Sequence, residues 1–128
     1  MESPTLEPPI LHWPPPSLTT TDPDAARLYQ DGIAELVAGG AHARSLLSDA
    51  VEHDSTFALA GVALAVIDAA AGAPFTLPAV TPALSRGERQ HIEVVRALLG
   101  ADPRRALDLR REHLAEFPGD LLVVWLAR

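Results

Sequence analysis

The sequence predicts an all-α protein made of antiparallel helical hairpins laid side by side. Three observations lead there. Apolar residues recur at three- and four-residue spacing along most of the chain, the signature of amphipathic helices. Helix-start signals stand at Thr21-Asp22-Pro23-Asp24, at Ser85-Arg86-Gly87-Glu88 and at Asp102-Pro103. The middle stretch from Phe57 to Gly72, FALAGVALAVIDAAAG, carries Asp68 as its only charge. A helix that is apolar all round has to be covered on several sides, so this stretch is expected to be a buried central rod with helix pairs wrapped about it.

Taken in order, the chain opens with Pro4, Pro8, Pro9, Pro14, Pro15 and Pro16. Proline fixes φ and removes a donor, so residues 1–20 are expected as an extended arm, with Ile10, Leu11 and Trp13 as apolar anchors. Trp13 either pins the arm to the body or offers it to an aromatic groove on another protein. Residues 21–128 are expected as one helical domain. A first helix runs from the Asp22-Pro23 start to about Ala38, with Ala26, Tyr29, Ile33, Leu36 and Val37 on one side, and Gly39-Gly40 stops it. A second runs from about Ala41 to His53, with Ala43, Leu46, Leu47, Ala50 and Val51 inward and Arg44, Ser48, Asp49 and Glu52 outward.

The central rod is the third helix. Its length is roughly 24 Å at about 1.5 Å per residue, shorter than the run of about 20 apolar residues that spans a bilayer. Asp68 weakens a membrane reading further. Ala73 to Leu84, with Pro74, Pro78 and Pro82, is too rich in proline for a helix and apolar enough to lie on the body. Ser85 and Glu88 form a capping box for a fourth helix that reaches about Leu99. Asp102-Pro103 starts a fifth, which Pro118-Gly119 ends, and Asp120 caps a last apolar stretch from Leu121 to Ala127.

The second and fifth helices share a spacing. Ala43, Leu47, Ala50 and Ser55 fall at one fixed offset from Ala106, Arg110, His113 and Pro118. A small residue, a large one four on, a small one seven on and proline twelve on is the second-helix pattern of a tetratricopeptide repeat. The small residues let two helices approach and the large one fills the groove between them. Such pairs stack into a right-handed solenoid with a binding groove, here one of about six helices.

The strings LTTTDPDAARLY, AVEHDSTFALAGVAL and LSRGERQHIEVVRALLGADPRRALDLRREHLAEFPGDLLVV resemble the N-terminal part of tetratricopeptide repeat proteins of the "domain 38" type. The most specific piece is Leu84-Ser85-Arg86-Gly87-Glu88 with His91, followed by Ala106, Phe117-Pro118 and Asp120. The resemblance implies an all-α, repeat-built fold and no assigned reaction. Family members are typically longer, and the segment from Ala73 to Leu84 is shorter than the family pattern, as if a helix were missing. The final Val123-Val124-Trp125-Leu126 then reads as an edge at which a further repeat or a second copy would pack.

Composition narrows the function. The 128-residue chain is 48% hydrophobic and 21% charged, with a formal net charge of −7, and every basic residue is Arg. An acidic chain without a basic stripe is a poor nucleic-acid binder, because neutralising phosphates supplies most of that affinity. With no Cys there is no disulfide, thiol nucleophile or zinc–cysteine site. The first residues lack a basic and apolar leader, so a cytoplasmic location is expected, with no membrane partner.

Glu88-x-x-His91 puts two ligand-type groups on one helical face. A two-metal bundle site needs a second such pair and further carboxylates. The sequence shows no second pair, and Glu88 already serves the cap, so no metal or cofactor is expected. Arg110 and His113 are the odd residues. They fall on the apolar side of the fifth helix, where the repeat pattern would place a large apolar residue and a small one. A buried guanidinium needs a carboxylate, and Asp68 is the expected partner. Arg104, Asp108 and Arg111 share the opposite face and read as a surface laced with salt bridges. No phosphate loop, nucleophile elbow or carboxylate pair is visible.

The expected function is a protein-interaction or scaffold module that binds another protein, or itself, through its groove and its C-terminal edge. Arg110, His113, Asp68 and His91 are the groove candidates, and Trp125, Val124 and Trp13 the edge candidates. The alternative is a small-molecule-binding or enzymatic helical domain using a polar pocket around Arg110 and His113.

Overall fold

Three of the helices begin where a short polar side chain, Asp22, Ser85 or Asp102, takes up free backbone donors of the first turn. The computed structural model describes residues 18, 20–100 and 102–126. Among them are six helices and no strand. Most of the proline-rich arm, Trp13 included, lies outside the described residues, as do Ala127 and Arg128.

Helix α1 spans Pro23–Val37. The Asp22 carboxylate accepts from the backbone N–H groups of Asp24 and Ala25 at 2.9 and 3.2 Å. Gly39, at φ 77°, takes the left-handed conformation that ends the helix. Helix α2, Ala43–His53, turns Ala43, Leu47 and Ala50 inward, the same residues its spacing singles out. It packs closely on α1 because position 32 is glycine: a Cβ there would lie 2.7 Å from Leu47 Cγ.

Helix α3, Ala58–Ala70, is the expected rod. Seven of its residues are buried, and six of them serve two cores. Leu59, Ala60 and Ala63 join Tyr29, Ile33, Leu47, Ala50 and Phe57 in one. Ala58, Val62 and Val66 join Leu84, Ile92 and Val95 in the other. Burying a Val or Leu side chain contributes about 1.5–3 kcal/mol, so this one helix anchors both halves of the domain. Residues 73–84 form no helix, as their prolines require, and Leu77, Val80 and Leu84 lie against the second core.

Helix α4, Arg86–Leu99, opens with the complete capping box. Ser85 Oγ accepts from Glu88 N at 3.1 Å, and Glu88 Oε1 accepts from Ser85 N at 2.9 Å. Helix α5, Pro103–Glu116, starts where the Asp102 carboxylate accepts from Arg105 N at 3.1 Å. Helix α6 is Leu121–Leu126.

The most extensive helix–helix contacts lie within α1–α2 and within α4–α5, with α3 between the two pairs. Helix α6 touches α4 and α5 and also returns to α1. Its Leu122 enters the first core, and Trp125 and Leu126 pack against both cores. No helix among the described residues is long and apolar enough to cross a membrane.

Candidate functional site

The polar chemistry of this domain converges at the point where α4, α5 and the start of α6 meet. His91 is on the buried side of α4, His113 on the buried side of α5, and Asp120 is the residue before α6. Their exposures are 0%, 1% and 3%, so all three are shielded from solvent. One carboxylate oxygen joins them. Asp120 Oδ2 lies 2.7 Å from His91 Nδ1 and 2.7 Å from His113 Nε2. The second nitrogen of His113, Nδ1, lies 2.8 Å from Gln90 Oε1. Asp120 Oδ1 faces Val123 N at 3.4 Å, a long contact in the first turn of α6. The second nitrogen of His91, Nε2, is buried and has no hydrogen-bond partner among the described residues.

Backbone geometry explains the convergence. His91 lies three positions on from Glu88, so both fall on the inner face of α4. His113 sits at the end of α5, and the turn through Pro118-Gly119 brings Asp120 back beside it. The rings of His91 and His113 stand nearly perpendicular, 6.3 Å between centroids, and Phe117 packs on His113 at 5.3 Å.

The electrostatics follow. Burial by itself pushes the Asp120 carboxyl up. The positive character of His91, the hydrogen bonds from His113 and His91, and the positive character of His113 outweigh it, and they hold Asp120 well below the usual carboxylate range. The phenol of Tyr29 is pushed well above its ordinary value, first by burial and then by the Asp120 and Glu88 carboxyls. Glu88 is itself fully buried, so two carboxyls occupy this interior.

Of the groove candidates, the structure brings His91 and His113 together and leaves Arg110 and Asp68 apart. Asp68 is held by Arg44 of α2, whose Nη2 and Nε lie 3.0 and 3.2 Å from Oδ1. The expected Arg110–Asp68 pair is therefore replaced by Arg44–Asp68. Arg44 rises from α2, which packs directly against the rod that carries Asp68. Arg110 is half-buried on α5.

At the other end, Trp125 is half-buried between the two cores and Val124 is about one-third exposed. The expected salt bridges along the outer face of α5 do not form among the described residues. Arg104, Arg105 and Arg111 make no ion pair there.

Asp120 is the residue that reading the sequence missed, because its place before α6 explained it fully as a cap. The available signal was an aspartate just past the end of the helix whose inner face carries a histidine. His91, His113 and Asp120 each bring one ligand-type atom within 4.8 Å of the others. A second such group, Asp22, Asp24 and His53, is at the surface, where Asp22 already caps α1. No protein-family model matches this chain, and neither the curated proteins nor the solved structures contain a match to it.

Proposed function

We propose that the chain is a protein-interaction module of the helical-hairpin kind, stacked in the manner of a tetratricopeptide repeat, and that its outer binding face is α5. The observation that carries this reading is the uncovered side of α5. Only Ala106 and His113 of that helix are buried. Leu107 is 39% exposed, and Arg104, Arg105 and Arg111 stand beside it with no ion pair among the described residues. An open groove of about 520 Å³ runs along the helix between Asp102, Arg104, Arg105, Asp108, Leu109 and Glu112.

Exposed arginines set around an exposed leucine present residue types that protein interfaces use. Arg is favoured at interfaces for its planar, bidentate reach. The hairpin arrangement supports the same reading. The pairs α1–α2 and α4–α5 each contain one of the two helices that share the small-residue spacing.

The test is recovery of partners from the native host on wild type, on Leu107→Glu with Arg111→Glu, and on a Val37→Glu control. A partner that is kept by the control and lost by the α5 variant, with helical content unchanged, supports the module. Partners recovered equally on all three would remove α5 as the binding face. The alternative reading, a ligand taken up at the polar groups of α5, changes form once the geometry is known. His113 turns its ring inward, so any ligand it engages has to be small enough to sit in the interior.

A further inference from the structure

We infer that His91, His113 and Asp120 form a buried binding site for one divalent transition-metal ion of the zinc class. The site is independent of any partner on α5.

Three separate elements deliver the donors: α4, α5 and the residue before α6. Two imidazole nitrogens and one carboxylate oxygen are a donor set that suits zinc, cobalt or nickel and suits calcium or magnesium poorly. The contacts of 2.7 Å between Asp120 Oδ2 and each ring are hydrogen-bond lengths. Metal bonds of about 2.0–2.1 Å in a tetrahedron would set neighbouring donors about 3.3 Å apart. Binding therefore requires the three side chains to rotate apart by a few tenths of an ångström.

The surroundings are those of a metal ligand. His113 Nδ1 faces Gln90 Oε1 at 2.8 Å. An oxygen acceptor on the far nitrogen is how a metal-binding histidine is usually oriented, with its other nitrogen aimed at the ion. As they stand, both nitrogens of His113 face oxygen acceptors. The geometry therefore asks for a proton on each, or for a cation in place of the one shared with Asp120.

His91 meets the site through Nδ1, not through Nε2. Its Nε2 is fully buried and has no hydrogen-bond partner among the described residues. A buried ring whose hydrogen-bonding capacity is half unused costs stability. Coordination falls at Nδ1, the nitrogen facing Asp120, and Nε2 then holds the ring's proton with no acceptor among the described residues, a cost that the ion's binding has to exceed. The accounting of protons is simple. The proton between His113 and Asp120 leaves as the ion enters, and His91 keeps one proton by shifting it from Nδ1 to Nε2. The buried Glu88 carboxyl and the acidic chain both favour a cation over an anion in this interior. Three protein donors leave one position for a non-protein oxygen.

The test uses the full chain, stripped with a chelator, then titrated with Zn²⁺ against a chromogenic competitor and with Co²⁺ as a visible-spectrum probe. The variants are Asp120→Asn, His113→Gln and the surface control Asp24→Asn with His53→Gln. The expected result is one ion per wild-type chain, tetrahedral Co²⁺ bands and a raised melting temperature. The control should match wild type, and Asp120→Asn and His113→Gln should bind about 100-fold more weakly or worse.

Should those variants fail to fold, nitrogen NMR of the wild-type rings decides. Zn²⁺ should shift the coordinating nitrogens of His91 and His113 and leave the other three histidines unchanged. The inference is overturned by a folded wild type that takes no ion from the competitor, by buried-site variants that bind like wild type, or by shifts confined to His53.

Discussion

His113 Nε2 lies 2.7 Å from Asp120 Oδ2, across the turn that separates α5 from α6. The same oxygen meets His91 of α4, so one buried carboxylate fastens three helices. Replacing Asp120 by Ala leaves two buried rings without their shared acceptor. Losing one partner of a buried charged pair typically costs about 3–5 kcal/mol. Asp120→Ala should therefore destabilise by about that much in urea unfolding, and Asp120→Asn, which keeps an acceptor oxygen, by clearly less. A cost below about 1 kcal/mol for the alanine variant, the range of a surface substitution, would remove the clamp.

Gly32 marks a second close fit. Alanine there gains about 1 kcal/mol of helix propensity, but its Cβ would lie 2.7 and 2.8 Å from Leu47 Cγ and Cδ2. Leu47 is fully buried, so its side chain cannot yield by turning out into solvent. Overpacking costs about 1–3 kcal/mol and outweighs the propensity gain. Gly32→Ala should destabilise the wild type and become neutral or stabilising in a Leu47→Ala background. A double-mutant cycle reads this reversal directly.

The capping box at α4 should obey the usual scale for caps. Ser85→Ala frees the Glu88 N–H that Ser85 Oγ satisfies, at a cost of about 1 kcal/mol. Thermal melts of the variant against wild type check it, and an unchanged midpoint would mean that the first turn of α4 does not depend on its cap.

The Arg44–Asp68 pair is a different kind of contact. The Arg44 side chain is 57% exposed, so the ion pair is screened by solvent and contributes less than about 1 kcal/mol. A cycle of Arg44→Ala and Asp68→Ala should give a small coupling that fades in high salt. The corresponding cycle of Arg110→Ala and Asp68→Ala should give none. A larger coupling to Arg110 would restore the pairing that the apolar face of α5 suggests.

These contrasts show what could be read from the sequence. Cap signals are local: Asp22 before Pro23, Ser85 with Glu88, and Asp102 before Pro103 each act within one turn, and all three helix starts fall where those residues place them. The rod could be recognised because a near-chargeless run has few ways to avoid water. The cluster is another matter. His91 and Asp120 are far apart in sequence, and no periodicity relates a residue of α4 to the residue before α6. Asp120 also has two oxygens: one faces the first turn of α6 as a cap does, and the other faces the rings. Reading the first role hid the second. Asp68 went astray for a related reason, since charge complementarity narrows the choice to arginines and only the packing of α2 on α3 selects Arg44.

Tyr29 offers a pH test with a built-in probe, because it is the only tyrosine in the chain. Its phenol is raised well above 10.0 in the folded protein, by burial first and then by Asp120 and Glu88. The unfolded chain has no such environment, so its phenol ionises near the ordinary value. Above that pH the unfolded state has released a proton that the folded state still holds, and stability falls as pH rises. The contribution is fully present below the ordinary value and is lost as pH climbs toward the raised one. Phenolate absorbance should therefore appear together with the loss of helical signal rather than before it. Tyr29→Phe should flatten the alkaline decline in the unfolding midpoint. Phenolate forming near pH 10 while the helices remain intact would show that Tyr29 is not buried beside these carboxyls, and the packing of α1 against the cluster would have to be redrawn.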